Sequence, residues 1–166
     1  METVQIRLAT QEDVPFIASC IRSMVEEMAS FGGHAVSTVE VSWTVLAQAI
    51  TEELTQPEYG YFLAAHAEAP TTPLGLVAAR IVGLTGVFAP KKTLHISAVY
   101  VVPRCRRQGL AQRLLEAALA WGRHAGCVEA DLHVLVHNPA RALYERLGFT
   151  VFELAMVRLL QDEARR

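Results

Sequence analysis

The hydrophobic residues of the first third of the chain recur with two periods, which predict a short strand and then two helices. Residues 4 to 8 have the pattern of the strand, and Thr10-Gln11-Glu12-Asp13 matches a capping box at a helix start. Apolar residues three or four positions apart then mark one face of each helix. These residues are Val14, Ile17, Ile21, Met24, Val25 and Met28 in the first helix, and Trp43, Leu46, Ile50 and Leu54 in the second.

The middle of the chain carries three β-prone runs. Tyr61 to His66 and Leu74 to Val82 are separated by residues 68 to 73, which contain two prolines and predict a hairpin loop of medium length. The third run, Leu94 to Val102, is rich in β-branched residues and ends at Pro103. We therefore expect the first two of these strands to pair antiparallel.

A long amphipathic helix is predicted next, from about Gln108 to Ala125, with Gly126 at its C-terminal end. Its apolar stripe consists of Leu110, Leu114, Ala118, Trp121 and Ala125, with Leu115 and Leu119 beside it. The remaining predicted elements are a strand over Ala130 to Val136, a short helix over Ala140 to Leu147 and the last strand or strands over Thr150 to Leu160.

The composition adds the expectation of one well-filled domain. The 166 residues are 52% hydrophobic and 19% charged, which argues against disorder, and no repeat or low-complexity linker interrupts them. We predict a single domain over residues 1 to 160 and a charged tail over residues 161 to 166.

Charge and cysteine content exclude several classes of protein. A net charge of -2 gives no general attraction for nucleic acid. No run reaches the roughly 18 apolar residues of a membrane-spanning helix, and the N-terminus lacks the pattern of a signal peptide. Cys20, Cys105 and Cys127 have no disulfide-framework or zinc-site spacing. We expect a cytoplasmic protein with reduced thiols, no bound metal, and no nucleic-acid or membrane partner.

The candidate chemistry lies where a strand turns into the long helix. The segment Val101-Val102-Pro103-Arg104-Cys105-Arg106-Arg107-Gln108-Gly109-Leu110-Ala111 places three arginines and a glycine at this junction. Helix N-termini present unpaired amide N–H groups to phosphate oxygens, and small residues let a diphosphate approach the backbone. A basic loop before a helix is more often solvated surface. The GxGxxG and GxxxxGK(S/T) patterns are absent, which excludes two common nucleotide motifs.

Two ordered motifs enclose the long helix. Arg106-x-x-Gly109-x-Ala111 matches the pattern Arg/Gln-x-x-Gly-x-Gly/Ala, and Ala140-x-x-Leu143-Tyr144-Glu145-x-Leu147-Gly148-Phe149 follows downstream. In this pair of motifs the chain resembles the GNAT family of N-acetyltransferases, whose first motif binds the pyrophosphate of acetyl-CoA and whose second also contacts the cofactor. The resemblance extends over nearly the whole chain, with its specific part in residues 94 to 149.

The resemblance implies an α/β fold of the mixed α+β kind. Its central, mostly antiparallel, twisted sheet would be splayed between strands 4 and 5 and flanked by about four helices. Acetyl-CoA would be the acetyl donor, with its pantetheine arm in the gap between those strands. Main-chain groups of Val99, Tyr100 and Val101 would line that arm, and the pyrophosphate would bind to Arg106, Arg107, Gln108, Gly109, Leu110, Ala111 and Gln112.

The same resemblance makes Tyr144 the candidate general acid for the CoA thiolate; the alternative is that its ring packs as a helix aromatic. Relatives often carry an acid on the strand before the turn, whereas His95-Ile96-Ser97-Ala98-Val99 contains none. His95 is therefore the candidate general base. The alternatives are that His95 has a structural role and that a chain of water molecules carries the proton outward. Asn138 lies six residues before Tyr144 rather than the usual seven, so it either contacts the cofactor or caps the next helix.

The function implied by the resemblance is transfer of acetyl to a primary amine by direct attack on the thioester. The amine, on a small molecule or a protein, stays open; in the family it enters past the loop between the first two helices, here Ala29 to Thr38. Two other classes remain: a catalytically weak acyl-CoA-binding sensor or interaction module on the same fold, and a basic turn that binds polyanions. The apolar last strands could also support a homodimer.

Overall fold

A computed structural model describes residues 3 to 31, 42 to 84 and 91 to 156, and within them five strands and four helices form an α/β fold. The strands are β1 (Val4–Leu8), β2 (Tyr59–His66), β3 (Ala69–Leu84), β4 (Lys91–Val101) and β5 (Glu129–Leu132). The helices are α1 (Val14–Ser30), α2 (Trp43–Glu53), α3 (Leu110–His124) and α4 (Arg141–Arg146). None of the helices in the described ranges is long and apolar enough to cross a membrane.

The sheet has the strand order β1-β2-β3-β4-β5 and changes direction at its last strand. The other neighbours pair antiparallel, whereas β5 runs parallel to β4. This parallel pairing is short, since it joins only Thr93 to Ile96 with Glu129 to Leu132. β4 itself continues to Val101 as the partner of β3. The two strands therefore separate after Ile96, which confirms the expected splay between strands 4 and 5.

Two apolar layers hold the helices against opposite faces of the sheet. On one face α3 packs against Phe62, Val77 and Leu94. On the other face, Ile17 of α1 and Ile50 of α2 are buried among strand residues. From the stripe predicted for α3, the buried members are Leu110, Leu114, Leu115 and Ala118. Fully burying an aliphatic side chain of the larger kind contributes roughly 1.5–3 kcal/mol, so these two layers fix where β4 and α3 meet.

Two strand ends differ from the sequence-based expectation by four or five residues, more than the other described strand ends. β3 begins at Ala69, so the expected medium-length loop is reduced to a two-residue turn. Register shifts between β2 and β3, where Ala65 pairs with Pro73 and His66 with Ala69, absorb the proline-containing stretch as a bulge. β5 ends at Leu132 instead of Val136, because the chain leaves the sheet there.

The predicted last strand over Thr150 to Leu160 is not found in its described part. Residues 150 to 156 have no strand assignment, and Phe152 and Leu154 are 77% and 80% exposed. A segment whose apolar side chains are uncovered lacks the packing that stabilises a strand. Residues 157 to 160, the tail over 161 to 166 and most of the loop from Ala29 to Thr38 lie outside the described residues.

An ion pair joins β1 to the start of α1. The buried Asp13 carboxylate accepts hydrogen bonds from both terminal nitrogens of Arg7, at 2.7 and 2.8 Å, and from the Thr10 backbone N–H at 2.8 Å. The Arg7 hydrogen bonds hold the pKa of Asp13 below its ordinary value, against the opposing effect of burial. The predicted capping box is thus present, and its acidic member is also bound to the sheet.

Asp13→Asn should lower the free energy of unfolding at about pH 7 by about 1–3 kcal/mol, because it removes charge-assisted hydrogen bonds. The pKa of folded Asp13 is depressed. The contribution is therefore complete above the unfolded value of about 3.9 and is lost as the pH falls through the lower folded value. Urea unfolding at about pH 7 and about pH 2.5 checks this: the deficit of the variant should shrink in acid. An equal deficit at both pH values would contradict the assignment.

Candidate active site

A cavity of about 700 Å³ lies in the gap between the separating strands. One wall comes from the second half of β4, including Ile96 and Val99, and the opposite wall from residues 132 to 135 at and after the end of β5. The turn before α3, part of α1 and part of α4 complete the lining. This volume is within the usual range for small-molecule sites, so the gap is large enough to hold an extended ligand.

The turn before α3 contains two residues in the left-handed backbone region. Arg107 has φ of 64° and Gly109 has φ of 78°. Gly109 directly precedes the first helical residue, and apart from its chain neighbours no atom lies within 4 Å of the place where its Cβ would be. The amide N–H groups of the first helical turn have no partner within a helix. Those of Leu110, Ala111 and Gln112 belong to residues that line the cavity, which makes this end of α3 suited to an anion.

Arg106 fixes the position of this turn. Its guanidinium donates hydrogen bonds to Glu27 Oε1 of α1 at 2.6 Å and to the Val101 carbonyl at 2.9 Å. It also stacks on an aromatic partner, with its Cζ 5.4 Å from the centre of the Tyr100 ring. The hydrogen bond to Glu27 raises the pKa of Arg106 above its ordinary value. One side chain therefore joins α1, β4 and the turn.

Most of the predicted cofactor residues line this one cavity. They are Val99, Val101, Arg106, Arg107, Gly109, Leu110, Ala111, Gln112 and Asn138, and Tyr144 lines it with them. Tyr100 and Gln108 do not: the Tyr100 ring packs against the layer under α1 and α2, and Gln108 donates a side-chain hydrogen bond to the Arg104 carbonyl at 3.5 Å.

Tyr144 lies on α4 with its ring edge-to-face to Phe149, at a centroid distance of 6.1 Å. Burial raises the pKa of its phenol above the ordinary value, since a phenolate loses solvation there. The hydroxyl therefore keeps its proton at neutral pH. A protonated phenol beside a cavity can donate a proton to a group inside it.

Asn138 is not the N-cap of α4, because that position is Ala140, which has no side-chain cap. The side-chain oxygen of Asn138 accepts a hydrogen bond from the Ala140 backbone N–H at 2.9 Å, just before α4. The residue also lines the cavity, so this turn forms part of the cavity wall.

His95 does not line the cavity, but the structure gives it two partners that sequence analysis missed. Its Nδ1 lies 2.5 Å from Asp131 Oδ1, across the parallel pair formed by β4 and β5. Its ring centroid is 5.6 Å from that of His133, which does line the cavity. The alternation of Asp131 and His133 on the predicted strand was the available signal. The register that places them beside His95 was not readable from the sequence.

Comparison with known proteins gives a family match over most of the chain. The acetyltransferase (GNAT) family is matched by residues 24–149, which include β4, the turn, α3 and α4. No curated protein sequence matches the chain.

Solved structures share the fold at low sequence identity. A mutant of the BH1408 protein from Bacillus halodurans has a TM-score of 0.80 and 19% identity, covering 94% of this chain and 99% of that one. The aminoglycoside N-acetyltransferase AAC(6')-Iy in complex with CoA has a TM-score of 0.73 and 18% identity, covering 97% of each chain. A predicted acetyltransferase from Clostridium acetobutylicum with acetyl-CoA has a TM-score of 0.74 and 15% identity, covering 97% of this chain and 99% of that one.

Glu27→Gln should loosen the turn before α3, because it removes the charge from the hydrogen bond that holds Arg106. Amide hydrogen exchange over residues 103 to 109 should become several-fold faster. Glu26→Gln is the matched control: Glu26 is the adjacent acid on α1 and pairs with Arg22 at 3.8 Å. Equal exchange rates in the two variants would show that Glu27 does not hold the turn.

Proposed function

Since the chain belongs to the acetyltransferase (GNAT) family, we propose that it is an N-acetyltransferase that transfers the acetyl group of acetyl-CoA to a primary amine. The observation that carries the proposal is that the anion-binding end of α3, the gap between β4 and β5 and the Tyr144 phenol share one cavity. A diphosphate, an extended arm and a thioester sulfur need these three features in that combination.

Acetyl-CoA is the acyl donor. We propose that its pantetheine arm lies along Val99 to Val101 and its pyrophosphate at the amides of the turn from Arg106 to Gln112. In support, β4 is paired with β3 on one edge up to Val101 and leaves β5 after Ile96, so main-chain groups on its other edge face the gap. Arg107 lines the cavity and is the better placed arginine for a phosphate oxygen, because Arg106 already binds Glu27 and Val101.

The reaction needs a neutral amine and a protonated leaving group. An amine with a pKa of about 10.4 is neutral in only about one molecule in 2,500 at pH 7, which costs roughly 4.6 kcal/mol unless a base or desolvation offsets it. Tyr144 is the proposed general acid for the thiolate, and its raised pKa keeps the required proton on the phenol. His95 is the proposed general base; since it does not itself line the cavity, it would receive the proton through an intervening group, and its partner Asp131 supplies the carboxylate that β4 itself lacks.

We propose that the acceptor amine enters at the end of the cavity formed by α1. Met24, Met28 and Phe31 line this end together with Glu27, whose carboxylate is paired with Arg106 at 2.6 Å. Such a wall suits an amine on an apolar body, on a small molecule or on a protein. A polycation would need several unpaired carboxylates to replace its water.

Three further parts of the proposal rest on the sequence. The chain would be a single catalytic domain over residues 1 to 160 with a charged tail, it would act in the cytoplasm without nucleic-acid partners, and it could associate as a homodimer through its apolar C-terminal segment.

Gly109→Glu should abolish binding of acetyl-CoA, because a carboxylate in the turn repels the pyrophosphate and occupies the space beside the amides. Gly126→Glu is the control: Gly126 has φ of 82°, lacks neighbours within 4 Å in the same way, and follows the other end of α3, away from the cavity. Both variants thus carry the same backbone strain. Calorimetric titration with acetyl-CoA should show binding to wild type and to Gly126→Glu only. Binding to both variants would place the cofactor elsewhere.

Tyr144→Phe should lower kcat for acetyl transfer at least about tenfold while leaving the affinity for acetyl-CoA within about twofold, since only the proton donor is lost. Tyr59→Phe removes a phenol that packs under α1 and α2, and it should leave kcat unchanged. CoA release with a panel of apolar and polycationic amines is the assay.

An unchanged kcat in Tyr144→Phe would remove Tyr144 from the reaction. Acetyl-CoA binding by wild type without transfer to any amine would favour the alternative of a cofactor-binding sensor.

A further inference from the structure

The short parallel pairing of β4 with β5 brings three titratable side chains together outside the residues of the family motifs. His95 is directly opposite Asp131 in the register, and their side chains are 2.5 Å apart. The ring of His133, two residues further along, is tilted by 59° to that of His95 at a centroid distance of 5.6 Å. Of the three residues, His133 is the one that lines the cavity.

We propose that His133 takes the proton of the acceptor amine inside the cavity and passes it to His95, which Asp131 holds in the required tautomer. The inference rests on the proposed function and deepens it, since it assigns the route by which the amine loses its proton. His133 is the catalytic residue in this arrangement, and Asp131 is a positioning residue that acts through His95.

Asp131 determines which nitrogen of His95 can accept a proton. An ionised carboxylate only accepts hydrogen bonds, so the contact requires the hydrogen on His95 Nδ1. The lone pair of the neutral ring is then on Nε2. When that nitrogen gains a proton, the resulting imidazolium faces the Asp131 carboxylate, which stabilises it.

The charged residues next to His95 and Asp131 on the neighbouring strands have different partners or are exposed. Glu129, which precedes Asp131 on the same face of β5, pairs with Lys91 at 2.5 Å and accepts a hydrogen bond from Thr93 at 3.2 Å. Arg80 is opposite His95 on β3 and is exposed. Asp131 is therefore the carboxylate that serves His95.

His133 connects this pair to the cavity. At a centroid distance of 5.6 Å, the two imidazole rings are close enough for one bridging water to carry a proton between them. His133 is exposed on the cavity side, whereas the side chain of His95 is 19% exposed. A proton accepted at His133 can thus pass from the cavity wall to the less exposed ring of His95.

The proton and electron balance of the step is complete. An N–H bond of the ammonium breaks, its proton moves to His133, and the nitrogen lone pair forms a bond to the thioester carbon. As the C–S bond breaks, the thiolate takes the Tyr144 proton, and the nitrogen releases its second proton to the tyrosinate. The products are the amide, the CoA thiol and one proton on the histidine pair, which solvent removes.

The first experiment needs no acceptor amine. The ¹⁵N chemical shifts of the His95 ring at about pH 8.5, where an ordinary imidazole is neutral, should report hydrogen on Nδ1 in wild type and a mixture of tautomers in Asp131→Asn. An Nε2–H tautomer in the wild type would overturn the role of Asp131 whether or not the chain acetylates any amine.

The second experiment measures acetyl transfer. His133→Gln and Asp131→Asn should each lower kcat at least about tenfold with KM for acetyl-CoA unchanged, and Asp131→Glu should recover part of the loss. His137→Gln and Glu129→Gln are the controls, because these neighbours do not line the cavity, and they should retain wild-type kcat.

An unchanged kcat in His133→Gln or Asp131→Asn would overturn the proposed route. Absence of transfer by wild type would count against the proposed function, and the tautomer measurement would still decide the role of Asp131.

Discussion

The separation of β4 from β5 is the constraint on which the rest of the site depends. β5 pairs with β4 only as far as Ile96, whereas β3 holds the other edge of β4 up to Val101. Backbone N–H and C=O groups on the open edge need partners, and a ligand or water has to supply them. The same separation of the two strands creates the cavity and leaves a strand edge with which an extended, amide-containing arm can pair. The proposed cofactor site therefore depends on the open edge of β4.

Close packing around the gap keeps its two sides in place. A Cβ on Gly122 would lie 2.8 Å from Leu94 Cδ2, so glycine lets α3 approach β4 at that point. On the other side of the sheet, the ion pair of Arg106 with Glu27 joins the turn to α1. The anion-binding end of α3 is thus positioned by one contact on each face of the sheet. Pairs of residues that are distant from each other in sequence therefore determine the geometry of the cavity.

The parts of the fold set by local periodicity could be predicted from the sequence, and those set by long-range pairing could not. The stripes of α1 and α3 and the glycine at the start of α3 are local signals, and the structure has them. The pairing of His95 with Asp131 spans 36 residues and depends on a register that no turn fixes. The apolar periodicity of α1 predicted that Met24 and Met28 face the protein interior. It did not show that they line the cavity. The expected last strand failed in its described part, because apolar alternation alone does not provide a partner strand.

The most direct test of the central claim is a crystal structure of the protein with bound CoA. The pantetheine arm should lie between β4 and the segment after β5, the pyrophosphate at the turn from Arg106 to Gln112, and the sulfur beside the Tyr144 hydroxyl. CoA bound outside this gap, or with its pyrophosphate away from the start of α3, would contradict the proposed cofactor site.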